Sequence, residues 1–217
     1  MNQFRYQIII TGLLTLTLLS CDRQNSAPPD TPDTPDTPPT PDTRLQTNQP
    51  IKIALPSFEL TERSGQTVSS AALQGKVWVA NFIFTRCAGP CPALTSQFYI
   101  LQQELKKHPS RDNIRLVTFT VDPEYDTPEI LAKRAKIALA DPKMWLWLTG
   151  KRPQLWTLIE KGFLLPVGEN KQDPKSPIMH TQKFVLIDQA GKIRGYYDGL
   201  ESESRDRLKH DLDALLK

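Results

Sequence analysis

Val77-Trp78-Val79-Ala80-Asn81-Phe82-Ile83-Phe84-Thr85-Arg86-Cys87-Ala88-Gly89-Pro90-Cys91-Pro92 joins a mostly apolar run to two cysteines and a proline. The run, Val77 to Phe84, is strand-length and lacks clean alternation, so it fits a strand buried on both faces at the centre of a sheet. Downstream, Pro92 to Lys107 reads as a helix: proline stands at its start, and Leu94, Phe98, Leu101 and Leu105 form an apolar stripe. Cys87 and Cys91 therefore sit between a buried strand and a helix. A helix start presents unpaired N–H groups and the positive end of the dipole. Both favour thiolate, so a lowered cysteine pKa is expected there.

Outward from this junction the elements alternate. On the amino side, Phe58 to Thr61 and Gln66 to Val68 flank Ser64-Gly65 as a short hairpin, and Ser69 to Leu73 before Gly75 suggests a Ser-capped helical turn. On the carboxyl side, Ile114 to Val121 is a strand. Thr127-Pro128-Glu129 opens a helix running through Ile130 to about Leu139, with a Thr cap, proline at the first position and an acid near the dipole. Met144 to Thr149 is a third core strand and Pro153 to Gly162 is helical. Lys183 to Ile187 and Lys192 to Tyr197 form a hairpin across Asp188-Gln189-Ala190-Gly191, and Ser202 to Lys217 closes the chain as an amphipathic helix. The result is an α/β fold, a mixed sheet with helices on both faces and an N-terminal β-hairpin. Its element order resembles a thioredoxin-like fold with insertions.

The amino terminus has a different character. Arg5 precedes an apolar stretch from Ile8 to Leu19, too short for a span of about 20 residues but suited to a secretory signal. It ends in Leu18-Leu19-Ser20-Cys21, which resembles a bacterial lipobox, so residues 1–20 are expected to be a lipoprotein signal peptide and Cys21 the lipidated residue. Residues 21–50 form a linker: SAPPDTPDTPDTPPTPDT from Ser26 to Thr43 has almost nothing to bury and favours extended polyproline II. The folded domain is then 51–217, large enough for a full core. The expected location is a bacterial cell membrane, lipid-anchored, with the domain outside the cytoplasm and facing the periplasm. Asp22 resembles an inner-membrane retention signal. The formal net charge is +3, with basic residues scattered among acids, and gives no reason to expect nucleic acid as a partner.

Of three cysteines, lipid on Cys21 leaves Cys87 and Cys91 to work as a pair. Three residues separate them, where a two-residue gap is the usual redox motif. A stapling disulfide, thiol redox chemistry and metal binding all remain open. A staple across so small a loop contributes only about 2 kcal/mol, against about 3 for a 15-residue loop. Redox work outside the cytoplasm requires a thiol reductant as partner. A two-sulfur metal site needs a third ligand. His108 beside Pro109 and His210 on the closing helix read as surface residues. His180 precedes the strand Lys183 to Ile187, in the loop that faces the cysteines in thioredoxin-like redox proteins. Two thiolates and an imidazole favour Cu(I) and can also hold Cu(II), whereas zinc prefers a fourth ligand. Met179 is a soft neighbour but is expected to pack. Asp122, at the end of a strand, is expected to cap the following turn, with a supporting role beside the metal as the alternative.

FIFTRCAGPCPALTSQF, FTVDPEYDTPEIL and MHTQKFVLIDQAGKIRGYYDG, in this order and spacing, resemble the SCO/SenC/PrrC family over 51–217. The resemblance implies a membrane-anchored, thioredoxin-fold copper protein with Cys87, Cys91 and His180 as ligands. It also implies a metallochaperone role in assembling the copper site of cytochrome c oxidase, so that a copper-accepting protein, such as an oxidase subunit, is a partner. Some members are thiol–disulfide oxidoreductases. In that alternative Cys87 is the attacking thiolate and Cys91 the resolving one. A copper or redox sensor is a third reading. Two departures stand out: many members have an acid between the cysteines, where this chain has Ala88-Gly89-Pro90, and Asp before the histidine, where it has Met179.

Overall fold

The computed structural model describes residues 53–172 and 177–217. The expected signal segment (1–20), Cys21 and the linker (21–50) lie outside the described residues.

The chain enters through β1 (Ile53–Ala54) and the hairpin β2 (Glu59–Glu62) and β3 (Thr67–Ser69), then a 3₁₀ turn at Ser70–Leu73. Ser69 makes no capping bond there. Ser70 binds instead: its N–H donates to the Phe58 carbonyl and its Oγ accepts from the Phe58 N–H, tying the turn to the hairpin base. β4 (Val77–Ile83) follows, with all seven residues buried, Asn81 among them, as a mostly apolar run at a sheet centre implies. Next come α1 (Cys91–Leu105), β5 (Ile114–Thr120), α2 (Pro128–Ile137) and β6 (Trp145–Thr149). α3 (Arg152–Thr157) passes into a π turn at Leu158–Gly162, and β7 (Val167–Glu169) and β8 (Ile178–His180) form a small separate ladder. β9 (Lys183–Ile187), β10 (Lys192–Asp198) and α4 (Ser202–Leu215) end the chain.

Eight strands make one mixed sheet in the order β1-β10-β9-β4-β5-β6-β2-β3. β4 runs parallel to β5 and antiparallel to β9, and β5 runs parallel to β6. The expected hairpins and core strands form within two residues of their predicted limits. α2 stops earlier than expected. Leu139 takes the left-handed conformation (φ 53°), and the Gln102 side chain of α1 holds the end, donating to the Leu139 carbonyl (3.2 Å) and accepting from the Asp141 N–H (2.7 Å). β1 and the β7–β8 ladder were not anticipated; strands of two or three residues leave no periodicity to read.

Helices cover both faces. On one, Phe98 of α1 lies between Trp145 (5.3 Å between ring centroids) and Phe184 (4.9 Å), while Arg205 of α4 donates to Gln97 of α1. On the other, Phe119 meets Phe58, Phe82 and Phe163 at 5.8, 5.7 and 5.3 Å. Phe163, just after the π turn, also packs on Trp78. This second cluster holds the α3 region against the sheet centre. Phe119→Ala is expected to cost about 3–5 kcal/mol, read as a lower urea midpoint at unchanged slope; a loss below about 1 kcal/mol would mean that the cluster does not stabilise the core.

Candidate metal centre

The buried strand β4 delivers the site. Its continuation, Phe84-Thr85-Arg86, carries the chain out of the sheet, and the Cys87 N–H bonds back to the Phe84 carbonyl (3.3 Å). Gly89 folds over and donates its N–H to Cys87 Sγ (3.3 Å). Cys91 is the first residue of α1, so the turn Ala88-Gly89-Pro90 brings both sulfurs to the helix start. Both thiols are free and buried, at 7 % and 2 % exposure.

His180 comes from the other end of the domain. It is the last residue of β8, not part of a loop, and it pairs with Val167 of β7. Its ring stands edge-on to Phe84 at 5.6 Å between centroids. Nδ1 lies 2.8 Å from the Thr181 carbonyl, which can only accept, so Nδ1 carries the proton. Nε2 is thereby left with its lone pair, 3.4 Å from Cys91 Sγ. The ligating atoms of Cys87, Cys91 and His180 all lie within 4.8 Å of one another. Bonds of about 2.0–2.3 Å to one ion set donors roughly 4 Å apart, so small side-chain shifts close the site. Among the described residues this is the one group of three or more such side chains that could hold a metal ion.

The electrostatics differ from the sequence expectation. Burial raises the Cys91 thiol well above the ordinary range, and the adjacent Cys87 thiol adds to the effect. Desolvation outweighs the helix start here, because a thiolate sealed from water without a cation has lost its solvent. His180 shifts the other way: burial lowers its pKa, partly opposed by the Thr181 carbonyl. In the metal-free site burial thus favours the neutral forms of the Cys91 thiol and the His180 imidazole.

Two carboxylates beneath the loop fix its course. Asp122 and Asp126, just beyond β5, are both fully buried. Asp126 accepts from the Thr85 N–H and from the Thr85 and Thr120 hydroxyls; burial still raises its pKa. Asp122 does not cap its turn with its side chain. Oδ2 accepts from Arg86 Nε at 2.7 Å, while its backbone carbonyl accepts from the Tyr125 and Asp126 N–H groups. The guanidinium of Arg86 lies over the Tyr125 ring, 5.0 Å from its centroid. The two residues preceding Cys87 are thus each held by a buried acid. Thr85, Arg86 and Asp126 had no assigned role in the sequence, since nothing local marks a contact across some 40 residues.

The remaining candidates resolve simply. His210 is exposed beside Asp211, and His108 pairs with Asp213 at 3.6 Å, far from the cysteines in the fold. Met179 does not pack: strand alternation turns it outward, 57 % exposed. No described helix is long and apolar enough to cross a membrane.

Comparison with known proteins follows the same lines. The family profile described as SCO1/SenC matches residues 46–217. The chain belongs to the SCO1/SenC family. A SCO1 protein homolog of Bacillus subtilis is 31% identical over 170 residues, 78% of this chain and 86% of that protein. A protein of Stutzerimonas stutzeri named for copper binding is 30% identical over 148 residues, 68% of this chain and 70% of its own length. Among solved structures, a SCO1/SenC family lipoprotein of Bacillus anthracis aligns with TM-score 0.71 and 30% identity, covering 78% of this chain and 99% of that one. BsSco, described as having a disulfide switch and as one of the Sco family of cytochrome c oxidase assembly proteins, aligns with TM-score 0.66 and 29% identity, covering 78% and 97%. The thioredoxin-like fold of the family is the fold found here.

The protonation states have consequences in pH. The folded Cys91 thiol titrates above its unfolded value, so it stabilises the dithiol protein below about pH 8.5 and this contribution is lost as pH rises from there through the folded value. His180 titrates below its unfolded value; its contribution is present above about pH 6.5 and lost as pH falls. At pH 8 iodoacetamide is expected to alkylate Cys91 at least about tenfold more slowly in the native reduced chain than in urea, as followed by peptide mass spectrometry. Equal rates would show that the thiol is neither buried nor held neutral.

Proposed function

We propose that this chain binds one copper ion through Cys87, Cys91 and His180 and passes it to an acceptor protein by ligand exchange. The observation that carries the reading is the convergence of two sulfurs with an imidazole nitrogen whose proton has been fixed on the far side of the ring. Two thiolates and an imidazole suit Cu(I) and can also hold Cu(II), and a three-donor set falls short of the four that structural zinc takes. Copper enters as cargo. On binding it displaces the thiol protons, and its charge replaces the solvent that the sulfurs lost on burial. The relative named for copper binding supports this choice of metal.

Similarity to BsSco supports a role in cytochrome c oxidase assembly, with an oxidase subunit as the acceptor. The site lies where β4 and β5 end, on the carboxyl side of the sheet, and that edge is the docking face. Cys21 is the proposed point of lipid attachment, which would place the domain outside the cytoplasm at a bacterial membrane; the lipoprotein relative supports it.

A second reading rests on the same two thiols, both free and with three residues between them. As a thiol–disulfide oxidoreductase, Cys87 would attack an acceptor disulfide and Cys91 would resolve the mixed disulfide, leaving the acceptor with two thiols and this chain with a disulfide. A separate reductant would then restore it. His180 separates the readings, since disulfide exchange does not need it.

Anaerobic titration of the reduced full chain with Cu(I) in the presence of a competing chelator tests the proposal. One copper per wild-type chain is expected, with affinity falling at least about 100-fold in His180→Ala, beyond the 10–100-fold typical of losing only an outer partner. Equal copper retention by both proteins would remove His180 from the site. No copper on wild type, with the cysteines still cycling, would leave the oxidoreductase alone.

A further inference from the structure

The β7–β8 ladder that carries His180 is a two-stranded unit separate from the main sheet. Such a hairpin is marginal by itself and takes its position from what it touches. Val167 and Ile178 anchor it with buried side chains, and the Asn170 N–H to Pro177 carbonyl bond extends the ladder. Between the hairpin and the cysteine loop lies a cleft lined by Arg86, Arg152, Glu169, Lys171 and Ile178. Packing therefore does not join the two halves of the site along this side.

Charge crosses the gap. Oδ2 of the buried Asp122 is taken by Arg86, while Oδ1 has no hydrogen-bond partner among the described residues. Arg152 Nη2 lies 3.7 Å from Oδ1 and brings a second counter-charge to the carboxylate. A fully buried carboxylate needs such compensation. Arg152 is further held by Glu124 at 2.6 Å and lies over the Trp156 ring, 5.1 Å from its centroid. From this position its Nη1 reaches Glu169 of β7 at 3.6 Å. Glu169 pairs with Ile178, two residues before His180.

We propose that Arg152 is a positioning residue, a latch that ties the His180 hairpin to the acid that also fixes the cysteine loop. Asp122 sits at the centre, with Arg86 leading to Cys87 on one side and Arg152 leading through Glu169 to His180 on the other. The latch holds the imidazole over the sulfurs in the metal-free protein and slows escape of the metal once bound. This second effect rests on the proposed copper site; the first does not.

The test uses the full chain with Arg152→Met and, separately, Glu169→Gln, which leaves the pairing of Asp122 untouched should the first variant fold poorly. Amide hydrogen exchange on the reduced, metal-free proteins is the primary readout. Amides of residues 167–170 and 178–180 are expected to exchange about threefold faster in both variants, the size of a partly exposed ion pair, with β4 and β5 unchanged in Glu169→Gln. Copper loss to excess chelator should speed up by a similar factor at unchanged stoichiometry. Hairpin exchange at the wild-type rate in Glu169→Gln would overturn the latch whether or not copper binds. Failure of wild type to take copper would sink the function proposed above and leave the exchange result standing.

Discussion

The contact between Cys91 Sγ and His180 Nε2, 3.4 Å across 89 residues of sequence, is the constraint the rest of the domain serves. It requires two thiols and an imidazole to leave water together. Without a metal the cost is met by neutrality: burial holds Cys91 protonated and His180 uncharged. A soft cation reverses that preference, because it stabilises the thiolates that burial disfavours. A site of this kind can be stable when empty and still bind tightly when filled, which is what transfer of a metal between proteins requires.

Holding the contact falls to elements with little freedom. β4 is buried along its whole length and aims the cysteine loop; α1 begins at Cys91 and fixes the second sulfur. Beneath the loop, Asp122 and Asp126 place two carboxylates in the interior, an arrangement that is unfavourable unless each is fully hydrogen-bonded or paired. Thr85, Thr120 and Arg86 supply most of those bonds. The two residues before Cys87 thus cannot move without exposing an uncompensated buried acid. The imidazole half is held less rigidly, by two buried aliphatic side chains, the Phe84 ring and charge.

Much of this was legible in the sequence. A mostly apolar run announces a central strand, a Thr-Pro-Glu start announces α2, and Gly191 (φ 73°) closes the last hairpin as its Asp-Gln-Ala-Gly turn implied. The three converging side chains were also readable, from the strand–Cys–helix junction and from a histidine placed just before a strand. Two kinds of feature were not. The β7–β8 ladder is too short for its pattern to show, so His180 read as a loop residue. The Arg86, Asp122, Arg152 and Glu169 network is built from charged residues on four separate segments, and single-sequence pattern has no access to partners 17 to 36 positions apart. For Cys91 the expected lowering of the thiol pKa fails for a related reason: the helix start is local and visible, whereas the burial that overrides it is a property of the packed domain.

X-ray absorption spectroscopy at the copper edge, on the reduced full chain loaded with one equivalent of Cu(I), addresses the ligand set directly. The account predicts two sulfur donors and one imidazole nitrogen around the metal, with a single sulfur remaining in Cys87→Ser. An environment of oxygen and nitrogen alone, or a two-sulfur site without imidazole, would contradict it.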